Sequence, residues 1–382
     1  MARIVYALSG QGRGHSSRVL AISEALRRRS HEVVFCCGGT AREIFESAGE
    51  QVVAVPSLRQ VIRNNEVRFA HTLCCNWRHI AGLTGIVQNL AERFRQLKPD
   101  LVITDFEAFS PRAAQKAGIP VVSFNHQQVV TEMVYDLPAR FRLTAALASA
   151  AIRLIAPRDP AHILLTSFFF GELRNPARTT LIPPIIRREV EAVRPIEGEH
   201  VLVYFNQPDG SERVLEDLSR IDASFLLYNF DPGSNRGRYP NLIFKEPSLD
   251  EFLQDLASSR AVICTAGFTL ISESLYLGKP LLVVPNRGIF EQTLNALFLE
   301  LNGYGTAVVD RPLRENDVRQ FLENISRFGA RFGARAVSGN DQAVRCIERV
   351  LTENGCELNG NQRYTLHATS YTGAATRIAK SE

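Results

Sequence analysis

Residues 264–296 contain groups that suit the binding of a phosphorylated ligand. The apolar run Ala261–Cys264 predicts a buried strand, Gly267 ends that strand, and Thr269 is expected to begin a helix by capping it. A helix that begins after a glycine turn offers backbone N–H groups and the positive end of its dipole, and both favour an anion. This stretch therefore predicts a phosphate site at a helix N-terminus.

Further polar groups follow at positions that a nucleotide sugar would need. Glu273 falls one turn further on, where its carboxylate can accept hydrogen bonds from a ribose diol. Leu281–Pro285 predicts a second buried strand, and Glu291 and Gln292 follow it. A strand, a phosphate-ready helix and a second strand with polar groups at its exit form the outline of a nucleotide-sugar site.

A second set of chemical groups follows the first predicted strand, Ile4–Leu8. Residues 9–15 read SGQGRGH, and glycines at alternate positions, including Gly12 and Gly14, let the backbone come close to a ligand. His15 then lies at a strand-to-helix turn, where an imidazole suits a general base because such rings titrate near neutral pH. The alternative is that His15 merely caps the helix.

A catalytic histidine usually needs an orienting carboxylate, and Asp105 follows the apolar run Leu101–Thr104. Asp105 could bond one imidazole nitrogen of His15 and stabilise the imidazolium that forms. Glu107 competes for this role. The alternative for Asp105 is to cap the next helix, for which residues 110–111 (Ser-Pro) are an equally good start.

The strand predicted at Val121–Phe124 leads into Asn125, His126 and Gln127. Consecutive amide and imidazole side chains at a strand end suit the recognition of hydroxyl groups, which predicts an acceptor-side contact. The alternative is a polar surface loop.

Two strands of the second half also end in polar groups. Asn206 follows the strand Val201–Phe205 and is a candidate for contact with a phosphate. Phe244 and Lys245 end another predicted strand and are candidates to flank the nucleotide base. These positions rest on the similarity of the two halves.

The sequence indicates no metal ion and no organic cofactor. No Asp-x-Asp occurs, and the eight histidines lack metal-ligand spacing. Residues 36–39 (CCGG) end the second strand without the acidic residue that a dinucleotide ribose would need. A helix dipole and backbone N–H groups can stabilise a leaving diphosphate instead, so we expect metal independence.

Composition describes an ordinary globular protein. The 382 residues are 45% hydrophobic and 22% charged, and a net charge of +4 does not indicate nucleic acid binding. The seven cysteines form no Cys-x-x-Cys pair, and with no export signal recognised they predict the reducing cytoplasm. No run of about 18 apolar residues occurs, so no membrane span is expected.

The first half of the chain alternates strand and helix patterns, and a second alternation begins at His200. This rhythm favours α/β domains with parallel sheets covered on both faces. We expect an N-terminal domain over residues 1–182, a Pro- and charge-rich linker over 183–198, and a C-terminal domain over 199–356. Such halves place a cleft between them, beyond the carboxyl ends of the strands. Residues 357–382 are expected to form a flexible tail.

The segment Pro138–Phe170 combines an Ala/Leu/Ile-rich helix with four arginines. One interpretation is a patch for a lipid-linked or apolar acceptor, with peripheral contact at a membrane surface. The other is an ordinary core helix that leads to a last strand. The second is the more common situation, because apolar helices usually serve the core.

Together these motifs resemble a known family. Residues 266–274 (AGFTLISES) with Glu-Gln-x-x-Asn-Ala at 291–296 resemble the donor signature of GT-B glycosyltransferases, nearest to the UDP-glycosyltransferases and the peptidoglycan N-acetylglucosaminyltransferase. Gly14 and His15 match that family's Gly-His after the first strand, and Asp105 matches the aspartate that pairs with its catalytic histidine. The resemblance spans both halves and implies two Rossmann-like α/β domains whose parallel sheets face a central cleft.

The resemblance also implies roles for single positions and shows two departures. Residues 264–268 read CTAGF, where plant enzymes have His-Cys-Gly-Trp-Asn. Residues 125–127 resemble the His-Glu-Gln-Asn turn of the peptidoglycan enzyme. Arg18 stands where the family usually has proline. The matched donor positions are Gly267, Phe268 and Thr269 for the diphosphate, Glu273 for the ribose, and Glu291 and Gln292 for the sugar hydroxyls.

We therefore expect an inverting, metal-independent and cofactor-free glycosyltransferase. It would move a sugar from a nucleotide diphosphate sugar, with UDP as the expected nucleotide, to an acceptor hydroxyl that His15 deprotonates. Two alternatives stay open at this point: a UDP-N-acetylglucosamine 2-epimerase of the same fold, and a non-catalytic nucleotide-sugar sensor.

Overall fold

The computed structural model describes residues 1–10, 13–63, 66–206, 211–233, 237–329 and 338–356. They form two compact units. Unit 1 contains residues 1–61, 69–187 and the described residues from 338 onward, and unit 2 contains residues 62–68 and the described part of 188–337. Two predictions concern residues outside the described ranges: the flexible tail over 357–382, and the approach of a ligand at Gly12.

The first half of the chain alternates strands and helices. Its strands are β1 (Arg3–Leu8), β2 (Glu32–Cys37), β3 (Val52–Ala54), β4 (Ile62–Arg63), β5 (Glu66–Val67), β6 (Leu101–Asp105), β7 (Val121–Asn125), β8 (His162–Thr166) and β9 (Thr179–Ile182). Its helices are α1 (Arg13–Arg28), α2 (Gly39–Ser47), α3 (Phe69–Ala81), α4 (Leu83–Leu97), α5 (Ser110–Ala117), α6 (Val129–Glu132) and α7 (Arg142–Ile155), and a 3₁₀ turn at Ala139–Phe141 precedes α7.

The sheet of unit 1 has the strand order β3-β2-β1-β6-β7-β8-β9, with parallel pairing throughout. β6 and β7 are buried along their whole length, because helices cover both faces of a parallel sheet. The strand order reverses between β1 and β6, where Leu8 pairs with Asp105. Ligands of open α/β sheets bind at the carboxyl ends of the strands at such a switch point.

The second half of the chain repeats this design. Its strands are β10 (Val201–Tyr204), β11 (Phe225–Tyr228), β12 (Leu242–Lys245), β13 (Ala261–Cys264), β14 (Leu281–Val283) and β15 (Gly305–Ala307). Its helices are α8 (Arg188–Ala192), α9 (Ser211–Ser219), α10 (Leu249–Ser258), α11 (Phe268–Tyr276), α12 (Phe290–Leu301), α13 (Glu315–Glu323), α14 (Ile325–Gly329) and α15 (Asn340–Glu353).

The sheet of unit 2 has the order β12-β11-β10-β13-β14-β15, again with parallel pairing. Its order reverses between β10 and β13, where Tyr204 pairs with Cys264. The residues that follow these two strands therefore lie at the switch point of unit 2. Asn206 follows β10, and Gly267 follows β13.

Two segments lie in a different unit from the one that the sequence predicted. The helix α15, assigned to residues 199–356, packs in unit 1, where the apolar stripe that includes Ile347 joins the core formed with β1 and α1. The Asn340 side chain also accepts from Ile186 N–H at 3.1 Å and donates to its carbonyl at 2.7 Å. The β4–β5 hairpin, assigned to residues 1–182, belongs to unit 2, where Val67 N–H donates to the Arg287 carbonyl at 2.9 Å.

Candidate active site

The carboxyl ends of β1 and β6 bring His15 and Asp105 together. The two strands are parallel neighbours, and Ser9 N–H donates to the Asp105 carbonyl at 3.1 Å. α1 begins at Arg13, so His15 lies in its first turn. His15 Nδ1 is 2.9 Å from Asp105 Oδ1. The two side chains that the sequence paired are therefore within hydrogen-bonding distance.

The surroundings of the imidazole decide which nitrogen is basic. Asp105 is fully buried, and its carboxylate only accepts hydrogen bonds, so a bond at 2.9 Å assigns the ring proton to Nδ1. Nε2 then carries the lone pair. The His15 side chain keeps 16% of its surface exposed, and Gln127 Nε2 lies 3.5 Å from His15 Nε2. A hydroxyl group that reaches Nε2 can therefore lose its proton there.

Asp105 has a second partner, Arg18, to which the sequence analysis gave no role. Arg18 Nη2 donates to Oδ1 at 2.6 Å and to Oδ2 at 2.7 Å, and Arg18 Nε donates to Oδ2 at 3.0 Å. Its Nη2 also lies 3.3 Å from His15 Nδ1. The signal in the sequence was spacing, since positions i and i+3 share one face of a helix. The site is thus a His–Asp–Arg cluster.

The charges in this cluster keep Asp105 ionised. Burial raises the pKa of the Asp105 carboxyl, but the charge of Arg18 and the contact with His15 outweigh burial and hold that pKa below its usual range. Tyr6 on β1 is fully buried nearby, and its hydroxyl has no hydrogen-bond partner among the described residues. Burial, and then the charge of Asp105, raise the pKa of Tyr6, so this phenol stays neutral.

Glu107, the competitor for the orienting role, instead binds the start of α5. Its carboxylate accepts from Phe109 N–H at 2.9 Å, from Ser110 N–H at 2.6 Å and from the Ser110 hydroxyl. Pro111 lies in the first turn of this helix, and Gly118 ends it with φ 74°. Asp105 is therefore left to the cluster, and Glu107 serves the helix start.

At the end of β7 and in the turn that follows, two of the three predicted acceptor-side residues form hydrogen bonds within the protein. Asn125 accepts from Gln128 N–H at 2.9 Å and donates to the Gln128 side chain at 2.8 Å, so the turn itself uses its polar groups. His126 is fully buried, and its Nδ1 lies 2.7 Å from the Thr166 carbonyl. Gln127 is the member of the predicted trio whose amide reaches His15.

The glycines after β1 do not share one role. Gly12 lies outside the described residues, and Gly14 lies in the first turn of α1. A Cβ at Gly10 would come within 2.3 Å of the Gly38 carbonyl oxygen and 2.4 Å of Ser57 Oγ. Gly10 is therefore required by chain packing, which the sequence alone did not separate from ligand approach.

In unit 2 the helix α11 begins without a side-chain cap. The N-cap is Gly267, in extended conformation with φ −72° and ψ 130°, and Phe268 is the first helical residue. Thr269 is thus inside the helix, and the prediction that it caps the helix is wrong, because Gly267 already provides the extended residue. Among the described residues, no atom would lie within 4 Å of a Cβ at Gly267. Glu273 is buried on the same helix.

The helix α12 connects the two predicted donor segments. Asn295 donates one amide to Glu291 Oε1 at 3.1 Å and to the Ala266 carbonyl at 3.1 Å, which ties α12 to the turn before α11. Glu291 stays partly exposed in the first turn of α12. Gln292 is buried, and its Oε1 accepts from Asn286 N–H at 2.8 Å. The Gln292 carbonyl therefore supports the preceding loop.

The remaining predicted donor-side residues, Asn206, Phe244 and Lys245, lie in different surroundings. The Asn206 side chain is exposed, while its carbonyl accepts from Asn229 Nδ2 at 2.9 Å. Phe244 packs against the core of unit 2. Lys245 Nζ lies 3.1 Å from Asp255 Oδ2, and the hydrogen bond from this pairing raises the pKa of Lys245. Phe244 thus contacts the core and Lys245 contacts α10, and their place beside a nucleotide base stays a prediction.

Over the described residues, no group of three or more His, Cys, Asp or Glu side chains could hold a metal ion. None of the helices described is long and apolar enough to cross a membrane. All seven cysteines are free thiols.

Two Rossmann-like units, one with a His–Asp–Arg cluster at its switch point and one with an uncapped helix start, define a GT-B glycosyltransferase. The family model for glycosyl transferase family 1 matches residues 2–326, and the chain belongs to this family. The predicted fold class and the predicted glycosyltransferase activity are therefore confirmed.

Known proteins agree with this assignment. An uncharacterized glycosyltransferase of Methanosarcina acetivorans is 25% identical over 335 residues, or 79% of this chain and 84% of that protein. A Bacillus cereus UDP-N-acetylglucosamine–N-acetylmuramyl-(pentapeptide) pyrophosphoryl-undecaprenol N-acetylglucosamine transferase is 24% identical over 209 residues, or 48% of this chain and 58% of that protein. The kitacinnamycin glycotransferase structure has TM-score 0.66 and 18% identity, covering 91% of this chain and 98% of its own.

Proposed function

We propose that this glycosyltransferase is inverting and metal-independent, and that it moves a sugar from a UDP-sugar to an acceptor hydroxyl. The observation that carries the proposal is the His15 imidazole, whose Nδ1 contacts the buried Asp105 at 2.9 Å. His15 Nε2 removes the hydroxyl proton, and the resulting oxygen attacks the anomeric carbon from the face opposite the diphosphate. The bond from that carbon to the diphosphate oxygen breaks, and the configuration inverts.

The donor is proposed to bind unit 2. The N-cap of α11 is a glycine, and no atom of the described residues would lie within 4 Å of a Cβ there, which supports a diphosphate at this position. The helix dipole and backbone N–H groups then stabilise the departing UDP in place of a metal ion. Glu273 is proposed for the ribose and Glu291 for the sugar hydroxyls, while Gln292 holds the loop that leads to α12.

The acceptor is proposed to be apolar or lipid-linked, reached from the cytoplasmic face of a membrane by peripheral contact. In α7, Leu143, Leu147 and Leu154 are 71%, 64% and 73% exposed, so the expected core interpretation fails for this face of the helix. Trp77 and its neighbours make a similar exposed apolar face on α3, and neither helix contains an acidic residue. The name of the Bacillus cereus relative includes a pyrophosphoryl-undecaprenol.

The membrane part of the proposal has a direct readout. Trp77 is the single tryptophan of the chain, so its emission reports on the exposed face of α3 alone. Vesicles with anionic lipid should shift this emission to shorter wavelength, because the basic, acid-free helices favour a negative surface. Unchanged emission with anionic vesicles, together with transfer to a water-soluble acceptor, would contradict a lipid-linked acceptor.

The central experiment compares His15→Ala with Glu273→Ala. A thermal-shift screen over nucleotide sugars identifies the donor, since a ligand at 100 times its Kd stabilises by about 2.7 kcal/mol. His15→Ala should lower transfer by about 10²–10⁴-fold and leave donor binding unchanged, whereas Glu273→Ala should weaken binding. Full transfer by His15→Ala would refute the base assignment.

Incubation of the donor alone separates the other two functions that the sequence left open. An epimerised sugar in the absence of any acceptor would indicate a 2-epimerase. Tight donor binding without transfer or hydrolysis would indicate a sensor.

A further inference from the structure

Arg18 binds the carboxylate that contacts the proposed base. It approaches both oxygens of the Asp105 carboxylate, and one of these oxygens, Oδ1, also contacts His15 Nδ1. Asp105 is fully buried and the Arg18 side chain is 5% exposed. Any movement of the guanidinium is therefore passed to the oxygen that orients the imidazole.

The chemistry of the two partners explains why arginine suits this position. A guanidinium is planar and presents several donors in a rigid fork, so it can hold both oxygens of a carboxylate and stop its rotation. It has no acceptor, so it cannot take the proton of His15 Nδ1 although the two nitrogens lie 3.3 Å apart. Only Asp105 can accept that proton, and Arg18 fixes where it does so.

We propose that Arg18 is a positioning residue for the base: it acts through Asp105, holds Oδ1 against His15 Nδ1, and shares the charge of the carboxylate. The proposal rests on the role of His15 as the base.

The charge balance gives the proposal a measurable consequence. Among the described residues, the groups that face the His15–Asp105 pair are Arg18 on α1, the neutral phenol of Tyr6 on β1 and the amide of Gln127 after β7. The charge of Arg18 lowers the pKa of Asp105. Without it, the buried carboxylate has only the imidazole to neutralise it, so the pair takes up a proton at higher pH.

The deciding measurement needs no substrate. Long-range ¹H–¹⁵N spectra of the His15 ring, assigned by their loss in His15→Gln, are followed against pH. In Arg18→Met the pH of proton uptake by the pair should rise by about 1 unit or more, whereas Arg18→Lys, which keeps the charge, should stay near wild type. Arg18→Gln is measured beside Arg18→Met, because a neutral polar side chain keeps the variant testable if Arg18→Met fails to fold.

Arg27 provides the matched control on the same helix. It also forms a two-pronged pair, with Glu50 at 2.7 and 2.6 Å, but away from the base, so Arg27→Met should leave the His15 titration unchanged. A wild-type titration in both Arg18→Met and Arg18→Gln would overturn the proposal.

Kinetics supply the second readout, with UDP release from UDP-N-acetylglucosamine as the probe reaction. The kcat of Arg18→Met should fall about 10²-fold at neutral pH and recover as pH rises, while Arg18→Lys should lose rate evenly at every pH. An even loss in Arg18→Met would indicate a purely structural role and contradict the proposal. If the wild type releases no UDP, the proposed function is in question, and the imidazole spectra still decide the role of Arg18.

Discussion

Gly267→Ala tests whether the start of α11 holds a diphosphate. The backbone at Gly267 has φ −72° and ψ 130°, which alanine adopts without strain, and a Cβ there would meet no described atom within 4 Å. The described residues therefore give no packing reason for glycine at this position. The proposed diphosphate would give one, because a diphosphate that accepts the N–H groups of the first turn must approach the backbone closely.

The expected magnitudes follow from this geometry. On folding, Gly267→Ala should be neutral or stabilising by about 0.4–1 kcal/mol, since alanine restricts the unfolded chain at a compatible position. On binding, the methyl group should displace the phosphate from one charge-assisted hydrogen bond, worth about 1.5–3 kcal/mol. The Kd for UDP should then rise by about 10- to 100-fold.

Calorimetric titration with UDP and chemical denaturation measure the two quantities separately. Gly85→Ala is the matched control, because a Cβ there also meets no atom within 4 Å, and it should leave UDP binding unchanged. Gly305→Ala is the opposite case, since its Cβ would lie 1.8 Å from the Leu281 carbonyl oxygen, so it should unfold unit 2 or strongly destabilise it. Wild-type UDP affinity in a folded Gly267→Ala protein would refute the phosphate assignment.

Three further outcomes are expected. Asp105→Asn keeps the shape of the carboxylate but removes its charge, so transfer should fall about 10³-fold with unchanged UDP affinity, and a loss below about tenfold would contradict the orienting role. Asn295→Ala removes the ties to Glu291 and the Ala266 carbonyl, so it should weaken UDP-sugar binding more than UDP binding, with Asn302→Ala, whose side chain bonds its own helix, as the control. Burial, and then the charge of nearby Arg349, lower the pKa of His162 to about 4. The unfolded chain therefore binds more protons than the folded chain between about pH 4 and 6.5. The free energy of unfolding should fall by about 3 kcal/mol as pH drops through that window. Urea denaturation at both ends of the window checks this, and an equal loss in His162→Gln would contradict it.

The sequence predicted those parts of the fold whose strands are buried on both faces. The runs that became β1, β6 and β7 are continuous and apolar, because a strand at the centre of a parallel sheet has no polar face to interrupt the pattern. The edge strands β9 and β15 were not predicted, since they are short and only half-buried. The helix α3 was not predicted either, because its large apolar side chains are exposed and their spacing does not correspond to a buried face.

The unit to which α15 belongs had no signal in local sequence. Its amphipathic pattern predicts a helix wherever the chain can place it, and only the matching surface formed by α1 and β1 selects the partner. Contacts between residues about 340 positions apart in the chain depend on shape, and a pattern of apolar spacing carries no information on shape. The same holds for the β4–β5 hairpin, whose partner strand segment at Arg287 is far away in sequence.

In the candidate site, the sequence predicted which polar side chains lie at the strand ends. The hydrogen bonds that each side chain already makes within the protein, which the sequence does not show, separate their roles. Asn125 ends β7 and Gln127 lies just after it, yet Asn125 uses its acceptor and donors for hydrogen bonds with nearby Gln128 and Ser123. Such a side chain cannot bind a ligand without opening the turn that holds it. The Gln127 side chain differs: its Nε2 lies 3.5 Å from His15 Nε2, and its Oε1 is buried without a hydrogen-bond partner among the described residues. An acceptor hydroxyl that enters between Gln127 and His15 would satisfy both groups, so among the three residues we propose Gln127 for contact with the acceptor hydroxyl.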